Sequence, residues 1–470
     1  MSSSPPGART LGALRESGYV PRSLREELHT NLLSRLRDGA SICPGVLGYD
    51  DTVIPALENA LLCGHDLIFL GERGQAKTRM IRSLTGLLDE WIPEVAGSEI
   101  HDDPFAPVSA AAKALVAEHG DDTEIAWVPR DDRYVEKLAT PDTSIADLIG
   151  DVDPVKVAEG RSLADELTIH FGMVPRTHRG IFCINELPDL TEKVQVGLFN
   201  VMEERDVQVK GYRVRLPLDV LVVATANPED YTSRGRIITP LKDRYAAQIR
   251  THYPPTRALE QAVVAQEAEV PAVEGIAVHM PEFMGEVAAE VTFQARQSAD
   301  VNQASGVSVR MSIANHETLL ANALRRALRT GETEAVPRIS DLDSLDASTC
   351  GKIELEYAGS ERSEGEVIRD LVRRAVKVVF DERIPLEGMA SVVDSFNQGW
   401  KMEVSDSIPA EEYLSGLDEI SGLREAAAHL AGGDSPARLA AAIEFILEGL
   451  HLSNQLNKAT HEHGALFEKR

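Results

Sequence analysis

The sequence is short of several things, and each shortage closes off a class of protein. Cysteine occurs four times in 470 residues, at Cys43, Cys63, Cys183 and Cys350, far apart and with no Cys-x-x-Cys pair. That spacing suits neither a disulfide framework nor a zinc site and fits a reducing compartment, with the four read as small buried hydrophobes. Basic residues are outnumbered, 48 against 75 acidic, for a formal net charge of -27. Such a field repels phosphate backbones and acidic membranes, so nucleic acid is not expected as the main partner. No apolar run is long enough to span a bilayer, and Met1 to Thr10 is Ser/Pro-rich without an apolar signal core. The expectation is a cytoplasmic protein with no membrane partner and a disordered start. With 43% hydrophobic residues the chain can fill large cores, in two to four domains.

One stretch organises the rest. Leu67-Ile68-Phe69-Leu70 is a short apolar run that breaks into Gly71-Glu72-Arg73-Gly74-Gln75-Ala76-Lys77-Thr78 and then into a helical pattern with Met80, Ile81, Leu84 and Leu87. A buried strand thus delivers a loop whose backbone N–H groups can converge on one anion, ahead of a helix with a positive N-terminal end. In a phosphate cradle of this kind Lys77 reaches the β- and γ-phosphates and the Thr78 hydroxyl sits on Mg²⁺. Ala76 stands where glycine is usual directly before the lysine. The expectation is that this place needs little bulk more than it needs positive φ.

Ser23-Leu24-Arg25-Glu26 is a capping-box pattern opening an amphipathic helix through Leu36, and Asp51 to Leu62 reads as a second helix. Pro93 to Asp153 has weak periodicity and reads as an irregular insertion, and Gly160 to Gly180 as a protruding hairpin. Ile181-Phe182-Cys183-Ile184 and Leu221-Val222-Val223-Ala224 are continuous apolar runs of the parallel-sheet type. Between them lie a helix, Val194 to Met202, and an alternating hairpin, Val207 to Leu216. The fold class that follows is α/β, with a parallel sheet that carries its ligand at the carboxyl ends of its strands. Past Tyr253 the pattern turns helical: Thr256 to Glu267, Phe283 to Arg296, Ser312 to Arg329, Glu364 to Phe380, Ala410 to Leu430 and Pro436 to Leu450. The expected divisions are a tail and helix over 1–40, an α/β core over 41–255, a helical lid over 256–395 and a helical C-terminal region over 396–470.

Phosphoryl transfer needs the terminal phosphate held, its charge neutralised and a water aimed in line. Glu186 directly follows an apolar strand, where it can act as general base on that water. Asn185 occupies the place of a magnesium-orienting aspartate, and as a neutral acceptor it holds a metal-bound water less firmly than a carboxylate does. Asn227, at the end of the next strand, can hold the attacking water from its other side. Taken alone, an Asn-Glu pair is more often a helix cap, and Asn227 more often a turn before Pro228. By composition Arg244 and Arg310 are solvated charges, though a cation aimed at a γ-phosphate is worth several orders of magnitude in rate. His461-Glu462-His463 reads as a solvated tail and not as a metal site.

The ordered set from Gly71 to Thr78, through Asp147 to Asp151, Glu159 to Arg161, His178 to Glu186 and Ala224 to Pro228, to Asp243-Arg244 resembles the AAA+ ATPases of the magnesium-chelatase ATPase-subunit and MoxR-like group, over roughly Ile42 to Arg329. The resemblance implies a P-loop core with a helical lid, assembling into a ring, usually a hexamer, with ATP and Mg²⁺ between neighbours. It makes Gly71 to Thr78 Walker A, Glu186 the Walker B glutamate beside Asn185, and Asn227 sensor 1. It makes Arg244 the arginine finger and Arg310 sensor 2, with Gly160 to Pro175 the helix-2 insert and Val207 to Leu216 the pre-sensor hairpin. The sequence departs from the group at Asn185, and it lacks the Asp-x-Ser-x-Ser motif of a von Willebrand A domain, which would have to come from a separate partner.

The function this implies is an ATP-hydrolysing motor that remodels a protein client, metal insertion included. Two alternatives stay open. One is a scaffold that binds nucleotide and hydrolyses it slowly, which Asn185 motivates. The other is an AAA+ transcriptional activator, against which stand the net charge and the absence of a Gly-Ala-Phe-Thr-Gly-Ala loop.

Overall fold

The computed structural model describes residues 4–153, 155, 158, 166–209, 212–214, 216–227, 235–356, 362–415, 417–461 and 464–470. The chain divides into two compact units, Met1–His252 and Tyr253–Arg470.

The strands of the first unit are β1 (Leu67–Leu70), β2 (Trp91–Val95), β3 (Ile125–Pro129), β4 (Tyr134–Leu138), β5 (Gly150–Val152), β6 (Ile169–Phe171), β7 (Gly180–Asn185), β8 (Val207–Val209), β9 (Tyr212–Val214), β10 (Val220–Ala226) and β11 (Ala247–Arg250). Five of them form a parallel sheet in the order β11-β1-β10-β7-β4. The apolar runs of β1, β7 and β10 are continuous because both faces of the sheet are covered. Alternation along each strand then feeds two cores. Leu67, Phe69, Ile181, Cys183, Leu221 and Val223 join helices Leu24–Arg37, Val53–Leu62 and Lys77–Ser83 in one. Ile68, Phe182, Ile184, Val222 and Ala224 join Leu198, Val201 and Leu241 in the other.

The stretch from Pro93 to Asp153 is more ordered than its sequence suggests. It carries an antiparallel pair, β2 with β3, a helix over Ala110–His119, and β4, an edge of the central sheet. Asp102 organises the turn after β2, fully buried and accepting from the backbone N–H groups of Val108 and Ser109 and from the hydroxyls of Ser98 and Ser109. Ala8 and Arg9, within the stretch expected to be disordered, are pinned as well: Trp127 donates to the Ala8 carbonyl and Ile125 to that of Arg9. The expected protruding hairpin differs in its pairing. β6 pairs with β5, which precedes the expected stretch, while Met173–Arg176 is a short helix, and residues 159–165 lie outside the described ones. Over Val207 to Leu216 the expected hairpin is present as β8 with β9.

Helix Leu24–Arg37, which follows a short helix over Leu11–Glu16, is tied into this unit by a buried ion pair. Arg133 meets Glu27 at 2.6 Å, and its guanidinium also donates to the Arg179 carbonyl at the turn into β7. Both charges are out of water, so each depends on the other and on these hydrogen bonds. The capping box Ser23 to Glu26 is in place, and the Leu24 N–H donates to Asp219 at 2.6 Å.

The second unit is largely helical, with helices Arg257–Glu267, Glu282–Gln297, Val309–Thr330, Glu364–Arg383 and Pro436–Leu452. Apolar on nearly every side, Pro436–Leu452 is its buried axis, and residues from Phe283 to Phe467 share one core. At Gly449 the axis touches Phe380, where an added Cβ would lie 1.9 Å from the ring. The helical C-terminal region is joined by a three-stranded antiparallel sheet that its sequence did not announce: Met402–Val404, Gly464–Lys469 and Leu456–His461 in that spatial order. Of the cysteines, Cys43 and Cys183 are buried as expected, but Cys63 and Cys350 are exposed. Among the described residues no helix is long and apolar enough to cross a membrane.

Candidate functional site

β1 hands the chain to the loop between its two parallel neighbours. The Gly71 N–H donates to the Ala226 carbonyl at the end of β10, and the Thr251 N–H, just past β11, donates to that of Leu70. The loop closes around Gln75, whose side-chain oxygen accepts from the Glu72 N–H at 3.0 Å and from the Thr251 hydroxyl at 2.6 Å. Gly71 has no room for a side chain, since a Cβ would lie 1.9 Å from Thr251 Oγ1 and 2.3 Å from Gln75 Oε1. From below, the Tyr49 hydroxyl meets the carbonyl oxygens of Gln75 at 2.9 Å and His252 at 2.7 Å, and burial pushes it up to about 12. Ala76 corrects the sequence reading. It sits at φ 54°, ψ 15°, in the left-handed region, so this place does demand positive φ, and alanine bears the steric cost that glycine avoids.

Lys77, the first residue of helix Lys77–Ser83, turns its side chain back under the loop. Its ammonium donates to the carbonyls of Gly71 and Glu72, at 2.5 and 2.7 Å, and to Asn227 Oδ1 at 2.8 Å. The Asn227 amide donates in turn to Glu186 Oε2 at 2.8 Å. One hydrogen-bonded chain therefore runs from the lysine, through the end of β10, to the carboxylate at the end of β7. Glu186 itself is left-handed, with φ 57° and ψ 49°, and the Thr225 hydroxyl holds its backbone N–H at 3.0 Å. A glutamate in that conformation persists only where its surroundings impose it, which is a mark of functional positions.

Asn185 lies beside this chain. Thr225 Oγ1 donates to its Oδ1 at 3.3 Å, and its Nδ2 donates to Glu136 on β4. Glu136 is also gripped by Arg82 through two nitrogens, at 2.8 and 3.1 Å, and by the Tyr134 hydroxyl at 2.9 Å. Burial alone would raise the Glu136 carboxyl, but Arg82, Tyr134 and Asn185 together hold it below its ordinary range. Burial pushes the neighbouring Cys183 thiol up to about 12, so it remains an inert core group. Glu136, Tyr49, Thr225 and Thr251 were not singled out by sequence, and their roles arise from pairing across strands far apart in the chain.

Thr78, Asn185 and Glu186 offer hydroxyl, amide and carboxylate oxygens, a hard donor set that fits Mg²⁺, and the glycine cradle and Lys77 fit phosphate oxygens. Among the described residues no cluster of three or more His, Cys, Asp or Glu could by itself hold a metal ion.

The remaining candidates lie elsewhere. Arg244 stacks over the Phe199 ring at 4.3 Å, pairs with Glu203 and donates to the Pro240 carbonyl at 2.7 Å. Arg310 is exposed near the start of helix Val309–Thr330, in the second unit. His178 and Arg179 support the strand they precede: His178 Nδ1 accepts from the Asp219 N–H at 2.9 Å, and Arg179 donates to the Pro93 carbonyl at 2.7 Å. His461 faces Glu403 at 3.4 Å, while residues 462 and 463 lie outside the described ones.

Comparison with known proteins adds relatives. Residues 164–243 match the family described as the Sigma-54 interaction domain. Over 207 residues the chain is 26% identical to the magnesium-chelatase subunit ChlI of Anabaena variabilis, covering 43% of this chain and 57% of that protein. The corresponding subunit of Nostoc sp. is 26% identical over 207 residues, 52% of its length. The chain thus spans about half the length of the curated relatives it matches. Among solved structures, the BchI–BchD complex of magnesium chelatase aligns at 18% identity and TM-score 0.35, over 70% of this chain and 98% of that one. NtrX from Brucella abortus in complex with ADP aligns at 13% and 0.32, over 65% and 52%.

Proposed function

We propose, for a chain that belongs to the AAA+ ATPases related to the magnesium-chelatase ATPase subunits, that it binds ATP with Mg²⁺ at Gly71 to Thr78 and hydrolyses it. The observation that carries this reading is the chain from Lys77 through Asn227 to Glu186, which links a phosphate-binding lysine to a carboxylate placed to take a proton from water. Lys77 would exchange loop carbonyls for phosphate oxygens, Asn227 would orient the attacking water, and Glu186 would accept its proton. Thr78 and Asn185 would hold the Mg²⁺, which when bound neutralises charge on the phosphates.

Beyond hydrolysis we propose a homo-oligomeric ring, with a hexamer as the expected closure, in which Arg244 reaches a neighbour's nucleotide and Arg310 acts from the lid. To do so Arg244 would have to leave Glu203 and Phe199. The work done would be remodelling of a protein client in the cytoplasm, with a von Willebrand A-type protein as one candidate partner. A second reading, a slow or inactive nucleotide-binding scaffold, is favoured by Asn185, whose neutral amide replaces a carboxylate. The transcriptional-activator alternative is not favoured, because the Sigma-54 domain match is confined to residues 164–243 and the Gly-Ala-Phe-Thr-Gly-Ala loop is absent.

The test is phosphate release by the full chain, with nucleotide binding followed separately. Lys77→Ala is expected to lose both, and Glu186→Gln to keep ATP bound without turnover. Wild-type turnover no greater than that of Lys77→Ala, at any Mg²⁺ concentration, would leave only the scaffold.

A further inference from the structure

We infer that Glu136 supplies, through Asn185, the negative charge that a carboxylate at position 185 would otherwise bring to the cation side of the site. This rests on the reading of the site as one for a magnesium nucleotide. Glu136 would be a positioning residue, acting on the Asn185 amide and not on the reacting atoms.

The sheet register makes the arrangement possible. β4 lies next to β7, with Glu136 opposite Cys183 and Leu138 opposite Asn185. Cys183 faces the core under helix Lys77–Ser83, and Asn185, two residues on in the same strand, shares that face. Arg82 comes from this helix, one turn beyond Thr78. Glu136 is therefore fixed between the helix that presents the hydroxyl and the strand that presents the amide.

The polarity of the Asn185 amide is then set. Its N–H side is committed to Glu136, which leaves Oδ1 on the side of Thr225, the residue that also holds the Glu186 N–H. An amide whose N–H is bonded to a carboxylate is polarised, so that its oxygen becomes the stronger acceptor. Arg82 binds the carboxylate from the solvent side, with 63% of its side chain exposed against 21% for Glu136. Its Nε bonds Oε2 and its Nη2 reaches Oε1 at 3.1 Å, so Oε1 is shared between Arg82 and the Asn185 amide.

Charge exchange between the two positions tests this. Mn²⁺ serves as the probe, its affinity for the full chain loaded with ADP read by electron paramagnetic resonance, beside ADP affinity without divalent cation. Glu136→Gln is expected to weaken Mn²⁺ about tenfold, with ADP affinity in the absence of metal unchanged within about twofold. Asn185→Asp alone puts two carboxylates in contact and should gain little. The double variant, Glu136→Gln with Asn185→Asp, exchanges carboxylate and amide between the two positions and should recover wild-type Mn²⁺ affinity or better. Glu136→Gln within twofold of wild type, or a double variant no better than Glu136→Gln, would overturn the assignment. Should Glu136→Gln fail to fold, Glu136→Asp, which shortens the reach but keeps the charge, is expected to bind Mn²⁺ between the two, and wild-type affinity there would also overturn it. A wild-type chain that binds no ADP would instead overturn the nucleotide reading itself.

Discussion

Lys77 and Asn227 meet at 2.8 Å across 150 residues of sequence, ammonium to amide oxygen. Because Asn227 passes a second hydrogen bond to Glu186, its removal breaks this link between the cation and the carboxylate while sparing both. Asn227→Ala is expected to lower turnover at least tenfold, since a hydrogen bond to a charged group is worth about 1.5–3 kcal/mol. ATP affinity should change only a few-fold. Steady-state phosphate release and a nucleotide titration check this, and unchanged turnover would remove Asn227 from the mechanism.

Thr225 serves two neighbours at once, the Glu186 N–H and the Asn185 oxygen. Thr225→Val keeps the shape and removes both bonds, so left-handed Glu186 loses its support. The expected cost is about 1–3 kcal/mol of stability for the unpaired buried group, with a loss of turnover at unchanged ATP affinity. Wild-type activity in Thr225→Val would show that the turn is held by other contacts.

At Ala76 the left-handed backbone predicts opposite outcomes for a smaller and a larger residue. Ala76→Gly relieves a strain of about 1–2 kcal/mol, partly offset by the greater freedom of glycine in the unfolded chain. Ala76→Val adds β-branching where it is least tolerated. Thermal melting should therefore place glycine level with or above wild type and valine below it, and the reverse order would contradict the assigned backbone.

Acid should destabilise the first unit through His178. Burial, with Arg179 beside it, pushes this imidazole down to about 4, and its Nδ1 accepts from Asp219, so the folded form is neutral. An unfolded chain protonates near pH 6.5. Stability from this source is therefore complete above that pH and falls as the pH drops toward 4. At about 1.4 kcal/mol per pH unit, roughly 2 kcal/mol is lost between pH 6.5 and 5. Urea midpoints at pH 7 and 5 should differ less in His178→Asn, whose amide oxygen can still accept from Asp219; equal differences would clear the histidine.

In the second unit, Gly449→Ala should be costly for a residue so small. Its methyl meets the Phe380 ring at 1.9 Å, inside a core with nothing free to move, and overpacking of this kind costs about 1–3 kcal/mol. Phe380→Leu should recover part of the loss when combined with it. Additive losses in denaturant titrations would place the clash elsewhere.

What could be read from sequence was what burial writes into it. β1, β7 and β10 are covered on both faces, so their apolar runs stand out, and the long helices of the second unit carry their period openly. The expected helix Ala410 to Leu430, however, is two, Ala410–Leu414 and Leu423–Ala431, parted ahead of Gly422 at φ 84°. β4 is half exposed along the edge of its sheet, and Tyr134-Val135-Glu136-Lys137-Leu138 does not look like a core strand. Leu456–His461 is exposed over most of its length and could not be told from a polar loop. Lys77, Glu186 and Asn227 were legible because each follows an apolar run or a glycine loop. Glu136 was not, because only the pairing of β4 with β7 brings it to Asn185, and Ala76 misled because a residue's identity does not reveal its φ.

The ion pair between Glu27 and Arg133 sets where this protein can be cut. A truncation that starts at residue 41, ahead of every strand of the sheet, removes Glu27 and leaves Arg133 buried with its charge unanswered. Breaking a buried pair in this way costs about 3–5 kcal/mol. Such a fragment would hold every residue assigned to ATP in the first unit and still be a poor sample for measuring it, whereas one that keeps Ser23 and the helix it caps retains the anchor.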